Sequence, residues 1–443
     1  MPEDIEMRLS WFLILIALLR PLTVNAQHES TLEEDEKIYW LSRLWSEAAY
    51  NFSFFDQVPD LNWDDTYRDF IPQVLATTTD WEYYTVLRRF YALLGDGHTR
   101  VFPPRDLRNR YYGTATNKIT TRLIEGRVIV TSVLDDAVKS AGLKQGMEIT
   151  AIDGHDVLTY ADRFVAPYVS ASTPQDVALQ IYGHFLLSGD VSKPVKIEVR
   201  GFSGETKTFD IGREPWIMEE EVFKGEPFLF ELLPENIGYL KINNFVDTDQ
   251  IRPKFDSIFA SILETDGLVI DVRDNFGGAT QMTHYVLQHL AAEKFRTVKW
   301  KSPMNIGAHR AWGQNEQWFE QEGYDIEPLN DGDIYTKPVN LIVDESTFSG
   351  AEDFTLGFIT LNRGRVIGRK TAGSTGSPIM FELPGRGLAL VCAKRDYFPD
   401  GREFVGLGIA PDIEVKATIQ DAIQNRDAAL ETALVDLKKR LPL

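Results

Sequence analysis

Ser349 lies where a predicted buried strand gives way to a predicted helix. The apolar run Val339–Val343 is typical of a strand covered on both faces, and apolar residues at helical spacing continue through 354–359. The first backbone N–H groups of a helix have no intrahelical partner, so the N–H of Gly350 is a candidate donor to an oxyanion beside the Ser349 hydroxyl. These residues suit nucleophilic chemistry if a general base reaches that hydroxyl.

The same segment also fits a purely structural interpretation. Ser349 and Glu352 form an S-x-x-E pattern, which is typical of a helix N-cap and its capping-box partner. Taken alone, this pattern favours a cap over a nucleophile. The choice depends on the groups that the rest of the chain brings to the serine.

A histidine in a glycine-flanked loop is the candidate base. Apolar residues at helical spacing over 83–93 predict a helix that ends at Gly95, and Asp96, Gly97 and His98 follow. Most histidines in such loops are exposed turn residues. His98 is a functional candidate because an imidazole exchanges protons near neutral pH.

A glycine pair follows another predicted buried strand. Gly277 and Gly278 come shortly after the apolar run 267–273 and form either a simple tight turn or a place where backbone N–H groups approach a ligand. The chain has no G-x-G-x-x-G motif and no P-loop lysine, so phosphate and dinucleotide binding have no support.

Composition and charge limit the classes of function. The chain has 443 residues, which suggests about three domains, and its net charge of −20 disfavours nucleic acid as a partner. The nine apolar residues 11–19 are too short to span a bilayer, and the small-residue site at 24–26 predicts a signal peptide cleaved after Ala26. Acidic residues before Met7 are atypical of such a signal, so the start of translation is open between Met1 and Met7. We therefore expect an exported protein, periplasmic or extracellular, without stable membrane insertion after signal removal.

Metal and disulfide chemistry have little support. Cys392 is the single cysteine and lies in an apolar run, so we predict a buried strand thiol. His284 and His289 are five residues apart on a predicted helix and lack a ligand pattern. We expect no metal and no organic cofactor.

The order of elements predicts a multidomain α/β protein. After the signal, residues 27–104 are predicted as an N-terminal helical domain, 111–212 as a β-rich unit, and 213–443 as an α/β core in which strands and helices alternate.

The middle unit resembles a PDZ domain. The segment AGLKQGMEITAIDG at 141–154 matches that family's helix–turn–strand pattern, although Met147 stands where an aspartate is usual. The resemblance implies capture of an extended peptide whose carboxylate is held by backbone N–H groups near Tyr112, Gly113 and Thr114. The alternative is a small β-rich domain that only packs as a lid.

The whole chain resembles the tail-specific, C-terminal processing serine peptidases of the tricorn-like branch. The motifs LLGDGHT, the PDZ-like unit, GLVIDVRDNFGG, STFSGAE and VGLGIAPDI follow one another in that family's order. The resemblance implies a crotonase/ClpP-like α/β peptidase core, with Ser349 as nucleophile and His98 as general base. It also implies an oxyanion hole formed by N–H groups of Gly350, Gly277 and Gly278.

Three positions depart from the family pattern. The position 25 residues after Ser349, where the lysine-using branch has its base, is Ser374, and Lys370 in the same loop is the alternative. The glutamate expected near GIAPD aligns with Val405. If that segment is extended, Glu403 points to the same face and could replace it. Asp96 is the other candidate for orienting the imidazole, and Gly97 stands where the branch can have a serine.

We therefore predict an exported serine endopeptidase that hydrolyses peptide bonds in unfolded or tail-presented proteins, with proteins or peptides as its partners. The alternative is a catalytically silent protein that binds peptides or apolar ligands on the same fold. An esterase is a further possibility, but the G-x-S-x-G elbow is absent because residue 347 is Thr. The sequence does not predict the oligomeric state.

Overall fold

The structure is a computed structural model that describes residues 30–215, 225–315, 317–329 and 334–441. The predicted signal peptide and its cleavage site lie outside these residues. Within the described ranges, no helix is both long and apolar enough to cross a bilayer.

The N-terminal region is helical, as predicted. Its elements are α1 (Glu34–Asn51), α2 (Trp63–Leu75), α3 (Asp80–Ala92), β1 (Arg100–Phe102) and α4 (Arg105–Tyr111). Helix α3 begins with a capping box, in which the Thr79 hydroxyl accepts the N–H of Glu82 and the Glu82 carboxylate accepts the N–H of Thr79. Leu87 and Phe90 of α3 are buried at spacing of one helical turn.

These helices share a hydrophobic core with the C-terminal region. Strand β1 pairs antiparallel with residues 388–390, so that Val101 lies opposite Ala389. Leu87 and Phe90 belong to the same apolar cluster as Val391 and Phe404. The helices therefore share one apolar cluster with residues 383–409, and this cluster is distinct from that of the six-stranded sheet described below.

The middle unit is built around a sheet with the order β2-β3-β4-β6-β7, and the short β5 also pairs with β4. Its elements are β2 (Ile119–Ile124), β3 (Arg127–Val133), α5 (Asp136–Ser140), β4 (Glu148–Ile152), β5 (His155–Asp156), α6 (Val157–Phe164), α7 (Pro174–Leu179), a π-helical continuation (Gln180–Phe185), β6 (Val195–Arg200) and β7 (Thr206–Ile211). Alternate residues of β6 are buried, as expected for a sheet with one covered face. The β-rich organisation agrees with the sequence prediction.

The third region contains a six-stranded sheet with the order β20-β16-β15-β10-β9-β8. Its strands are β8 (Phe228–Leu233), β9 (Ile237–Ile242), β10 (Gly267–Asp271), β15 (Val339–Val343), β16 (Gly364–Gly368) and β20 (Ile413–Glu414). All neighbouring pairs are parallel except the edge pair of β8 and β9. The helices of this region are α8 (Ile251–Leu263), α9 (Thr280–Gln288), α10 (Gly307–Ala311), α11 (Gly350–Thr360), α12 (Ile419–Gln424) and α13 (Ala428–Lys438).

Helices cover both faces of this sheet, which explains the uninterrupted apolar strands. Leu341 and Val343 of β15 belong to the apolar cluster that contains residues of α9 and α11, whereas Ile342 packs with Ala433 and Leu437 of α13. Side chains alternate between faces along a strand, so a strand covered on both sides must be apolar throughout.

Smaller sheets complete the region. Strands β17 (Pro378–Leu383) and β18 (Gly387–Cys392) form a three-stranded sheet with β1, and β12 (Lys299–Met304), β13 (Gln317–Gln321) and β19 (Arg395–Tyr397) form another, while β11 (Phe295–Arg296) pairs with β14 (Asp325–Ile326). The predicted multidomain α/β fold is confirmed.

Candidate active site

The backbone at Ser349 adopts a conformation that is rare for a residue with a side chain. Its φ is 55° and its ψ is −122°, between the end of β15 and the start of α11. Its side chain makes no capping hydrogen bond, and no capping box is recorded at this helix start. The N-cap interpretation of Ser349 and Glu352 is therefore wrong. The strained backbone leaves the hydroxyl available to another group.

That group is the imidazole of His98. Its Nε2 lies 3.1 Å from the Ser349 Oγ, although the two residues are 251 positions apart in the chain. The imidazole stacks on the ring of Phe348, with centroids 4.6 Å apart and an interplanar angle of 16°. Burial, together with the nearby charges of Arg100 and Lys394, lowers the pKa of His98 to about 3, so the imidazole is neutral near pH 7.

The second ring nitrogen of His98 contacts Ser374, a residue whose role the sequence did not predict. The Nδ1 lies 2.9 Å from the Ser374 Oγ. When Nδ1 donates to that hydroxyl, Nε2 is left as an acceptor for the Ser349 hydroxyl. The only sequence signal was that Ser374 occupies the position of the base in the lysine-using branch.

The acids predicted to orient the imidazole do not contact its ring. Glu403 has 55% of its side chain exposed and lies 3.9 Å from Arg395. Val405 is buried at the start of a turn, so the predicted extended segment with 403 and 405 on one face does not form. Asp96 accepts the backbone N–H of His98 at 3.1 Å and thus supports the loop, not the ring. The prediction that Glu403 orients the His98 imidazole was wrong.

The alternative base Lys370 is exposed and forms no hydrogen bond with Ser349 among the described residues.

Glu352 fixes the loop that carries Ser374. Its fully buried carboxylate accepts the N–H of Ser374 at 2.7 Å, the N–H of Gly373 at 2.8 Å and the hydroxyl of Thr371. Burial raises the pKa of Glu352 to about 8, and these hydrogen bonds oppose that rise. The backbone N–H of Ser349 also donates to the Ser374 carbonyl at 3.0 Å, so the two serines are tied together.

Two of the three predicted oxyanion donors are available. The N–H groups of Gly278 and Gly350 donate to no acceptor among the described residues, and a Cβ on Gly350 would lie 3.0 Å from the Gly278 nitrogen. The N–H of Gly277 instead donates to the Asn275 side chain at 2.8 Å, so Gly277 is not a donor to an oxyanion. Gly277 shapes the turn, because its φ is 96° and a Cβ there would lie 2.5 Å from the Gly350 nitrogen.

The predicted carboxylate site at Tyr112, Gly113 and Thr114 does not have free backbone donors. Their N–H groups donate to the carbonyls of Arg108 at 2.9 Å, Gly189 at 2.7 Å and Glu214 at 2.8 Å, respectively. That expectation was wrong, since each donor is already used within the fold.

No group of three or more His, Cys, Asp or Glu residues in the described ranges could hold a metal ion. The Nδ1 of His289 lies 2.8 Å from the Tyr285 carbonyl, and His284 packs near Phe295. Cys392 is fully buried, and burial raises the pKa of its thiol.

Comparison with known proteins agrees with this architecture. The chain is 15% identical to mature CPAF, with a TM-score of 0.68, over 91% of this chain and 97% of that one. It is 18% identical to a putative peptidase from Parabacteroides merdae, with a TM-score of 0.53, over 92% of this chain and 97% of that one. At these identities the likeness concerns the fold, which is the multidomain α/β fold of known peptidase structures.

Sequence comparison finds a family match in the C-terminal part of the chain. Residues 236–415, which contain Ser349, match the model of peptidase family S41. A probable CtpA-like serine protease of Staphylococcus haemolyticus is 25% identical over 247 residues, which are 55% of this chain and 46% of the relative. A second, from Staphylococcus epidermidis, is 22% identical over 245 residues, or 55% and 47%. The chain thus spans about half the length of the curated relatives it matches. The PDZ resemblance of the middle unit stays a prediction.

Proposed function

We propose that this protein is an exported serine endopeptidase that cleaves unfolded or tail-presented protein substrates, with Ser349 as nucleophile and His98 as general base. The observation that carries the proposal is the 3.1 Å contact between His98 Nε2 and Ser349 Oγ, beside two N–H groups without acceptors in the described chain. The S41 relationship of residues 236–415 supports the choice of peptide bonds as substrate.

In the proposed reaction, the Ser349 oxygen attacks the carbonyl carbon of the peptide bond while His98 Nε2 takes the hydroxyl proton. The carbonyl oxygen becomes an oxyanion and accepts hydrogen bonds from the N–H groups of Gly278 and Gly350. Each such donor is worth roughly 100- to 1,000-fold in rate. His98 then gives its proton to the leaving amine, and the C–N bond breaks.

Water completes the cycle. His98 takes a proton from a water molecule, whose oxygen attacks the Ser349 ester. The proton returns to the Ser349 oxygen as the new carboxylic acid leaves. Throughout, the contact with Ser374 keeps the ring oriented, and Glu352 keeps the Ser374 loop in place.

The test uses chain 27–443 with an unfolded protein that ends in an apolar tail, together with the Ser349→Ala and His98→Ala variants. We expect cleavage by the parent and loss of cleavage in both variants. A parent that retains cleavage after Ser349→Ala contradicts the proposed nucleophile. A folded parent that cuts nothing and does not react at Ser349 with a fluorophosphonate favours the silent binding protein.

Substrate class is tested separately. Peptide and ester substrates with the same acyl group distinguish a peptidase from an esterase, since an esterase cleaves only the ester at an appreciable rate. The proposed preference for C-terminal tails is tested with one unfolded substrate carrying either a free or an amidated C-terminus. Equal rates would contradict that preference.

A further inference from the structure

A cavity of about 40 Å³ lies between the helical region and the middle unit. It is lined by cationic and aromatic side chains, and none of the residues assigned above to the reaction lines it. The lining includes Arg88, Arg100, Arg108, Tyr112, Tyr168 and Phe185.

Two of its guanidinium groups have no carboxylate within ion-pair distance among the described residues. Arg100 donates to the Ser170 carbonyl at a long 3.4 Å, and its buried Nε has no acceptor in the described chain. Arg88 donates to the Tyr112 hydroxyl at 2.8 Å, and its guanidinium lies 4.3 Å from the centre of that ring and 5.7 Å from that of Tyr168. A buried cation without a paired anion costs several kcal/mol, so an anionic ligand would be favoured here.

The nearest buried acids are engaged elsewhere. Asp96 accepts hydrogen bonds from Thr99 and from the His98 backbone, and Asp176 accepts from Gln180. The charges of both acids raise the pKa of Arg100, but neither acid forms an ion pair with it in the described structure. The two cations therefore face the cavity with capacity for further hydrogen bonds.

Two lining residues connect the cavity to the candidate active site. Arg100 is the second residue after His98, and its charge acts on that imidazole. Phe185 follows His184, whose ring lies 5.8 Å from the ring of Phe276. Phe276 directly precedes the Gly277-Gly278 turn.

A second cavity of about 180 Å³ adjoins the first through shared lining residues. Arg88, Tyr112, Tyr168 and Phe185 line both cavities, and Trp81 and Phe164 add aromatic surface to the second. A ligand that combines a carboxylate with an apolar side chain fits this pair of cavities.

We propose that the two cavities form a carboxylate subsite for peptides, in which Arg88 and Arg100 bind the carboxylate and the aromatic cavity holds an adjacent apolar side chain. A guanidinium offers parallel N–H donors that match the two carboxylate oxygens. The choice of a peptide as ligand rests on the proposed function. The carboxylate belongs either to the C-terminus of the bound peptide or to one of its acidic side chains, and both sources share this chemistry.

The experiment measures binding, not cleavage, on the full Ser349→Ala chain 27–443 by calorimetry. Three N-acetylated tripeptides serve as probes: one with a C-terminal leucine and free carboxylate, its amide, and an amidated peptide with glutamate before the leucine. We expect the free acid or the glutamate peptide to bind about tenfold more tightly than the neutral amide, since hydrogen bonds to charged groups are the stronger class. The tighter of the two charged probes identifies the source of the carboxylate.

Arg88→Gln and Arg100→Gln should each remove this preference. The matched control is Arg89→Gln, which loses the same charge on the same helix but has its guanidinium 5.2 Å from the Phe70 ring and does not line either cavity. Thermal unfolding verifies that each variant is folded, and Arg88→Gln alone suffices if Arg100→Gln does not fold.

Equal binding of charged and neutral probes would overturn the subsite, as would a folded Arg88→Gln variant that keeps the preference. A parent chain that cleaves nothing would contradict the proposed function and leave this binding result intact. The two failures are therefore distinguishable.

Discussion

Ser374 gives the proposed active site an uncharged orienting group. A carboxylate in this position would both hold the imidazole and stabilise the imidazolium that forms during the reaction. The Ser374 hydroxyl, 2.9 Å from His98 Nδ1, can do the first but supplies no negative charge for the second. Its contribution should therefore be smaller than that of a carboxylate.

Ser374→Ala should lower kcat roughly 10- to 100-fold with little change in KM, a smaller loss than the roughly 100- to 10,000-fold that general-base catalysis contributes as a whole. The ring would lose the partner that fixes its orientation. Steady-state kinetics on a peptide substrate measures the effect. Thr375→Val is the control, because the buried Thr375 hydroxyl has no partner in the described chain. An unchanged kcat in Ser374→Ala would show that another group orients His98.

Glu352 links the active-site loop to the dependence of stability on pH. The pKa of its carboxyl rises from 4.5 to about 8 on folding, because the group is buried. Between these values the folded protein retains a proton that the unfolded chain has released, so this group favours folding less as pH rises.

The melting temperature of the parent, relative to that of Glu352→Gln, should therefore fall as pH rises from 4.5 to about 8. The difference between parent and variant isolates this carboxyl from other titrating groups. Scanning calorimetry at several pH values measures it. A difference that stays constant over this range would contradict the raised pKa.

At the scale of secondary structure, two neighbouring strands bring the proposed nucleophile and the proposed oxyanion turn together. Strands β10 and β15 run parallel, with Asp271 opposite Ile342. Their carboxyl ends meet at one edge of the sheet, so the turn after β10 and Ser349 after β15 become neighbours. The close approach leaves no room for a side chain at Gly277.

Gly277→Ala should reduce kcat about 100-fold, because its Cβ would displace the Gly350 N–H from the oxyanion. Gly126→Ala is a matched control: Gly126 also has a positive φ, 74°, but an added Cβ would meet nothing within 4 Å. Both substitutions should cost roughly 1–2 kcal/mol of stability from backbone strain. Kinetics together with thermal unfolding separate the two effects. Equal kcat in the two variants would contradict the proposed donor at Gly350.

At the scale of the whole molecule, residues 172–175 of the middle unit hold both loops that contact the imidazole. The Ser172 hydroxyl accepts the Gly97 N–H at 2.9 Å, beside His98. Thr173 donates to the Ala372 carbonyl at 2.7 Å, and Gln175 donates to the Thr371 carbonyl at 3.0 Å. The middle unit therefore positions parts of the active site, whether or not it also binds peptide.

Gln175→Ala should lower kcat roughly two- to tenfold, because it removes the neutral hydrogen bonds to the Thr371 and Leu407 carbonyls that position this region. Gln145→Ala is the control, since Gln145 also joins the middle unit to the C-terminal region, through Asn425 at 3.0 Å, but away from the imidazole. The same peptide assay measures both variants. Equal losses would mean that general contact between the units, and not the Thr371 contact, sustains activity.

The sequence by itself determined the elements whose patterns are local. The apolar run at 339–343 is a strand with the predicted bounds, and the helix after Ser349 begins where the pattern changes. An uninterrupted apolar run and apolar residues at helical spacing are patterns among neighbouring residues, so a single sequence reveals them. The pairing of His98 with Ser349 followed from a family resemblance, because no local pattern spans 251 residues.

Only the tertiary structure decided which groups complete the site. Ser374 reaches His98 across 276 residues, while Glu403 is directed towards Arg395. The N–H of Gly277 is used by Asn275, whereas that of Gly278 has no acceptor in the described chain. Whether a donor is free depends on every group that folding places near it, and those groups come from distant parts of the chain. Sequence pattern therefore located the strand-to-helix junction that carries the proposed nucleophile, and long-range packing selected the partners of Ser349.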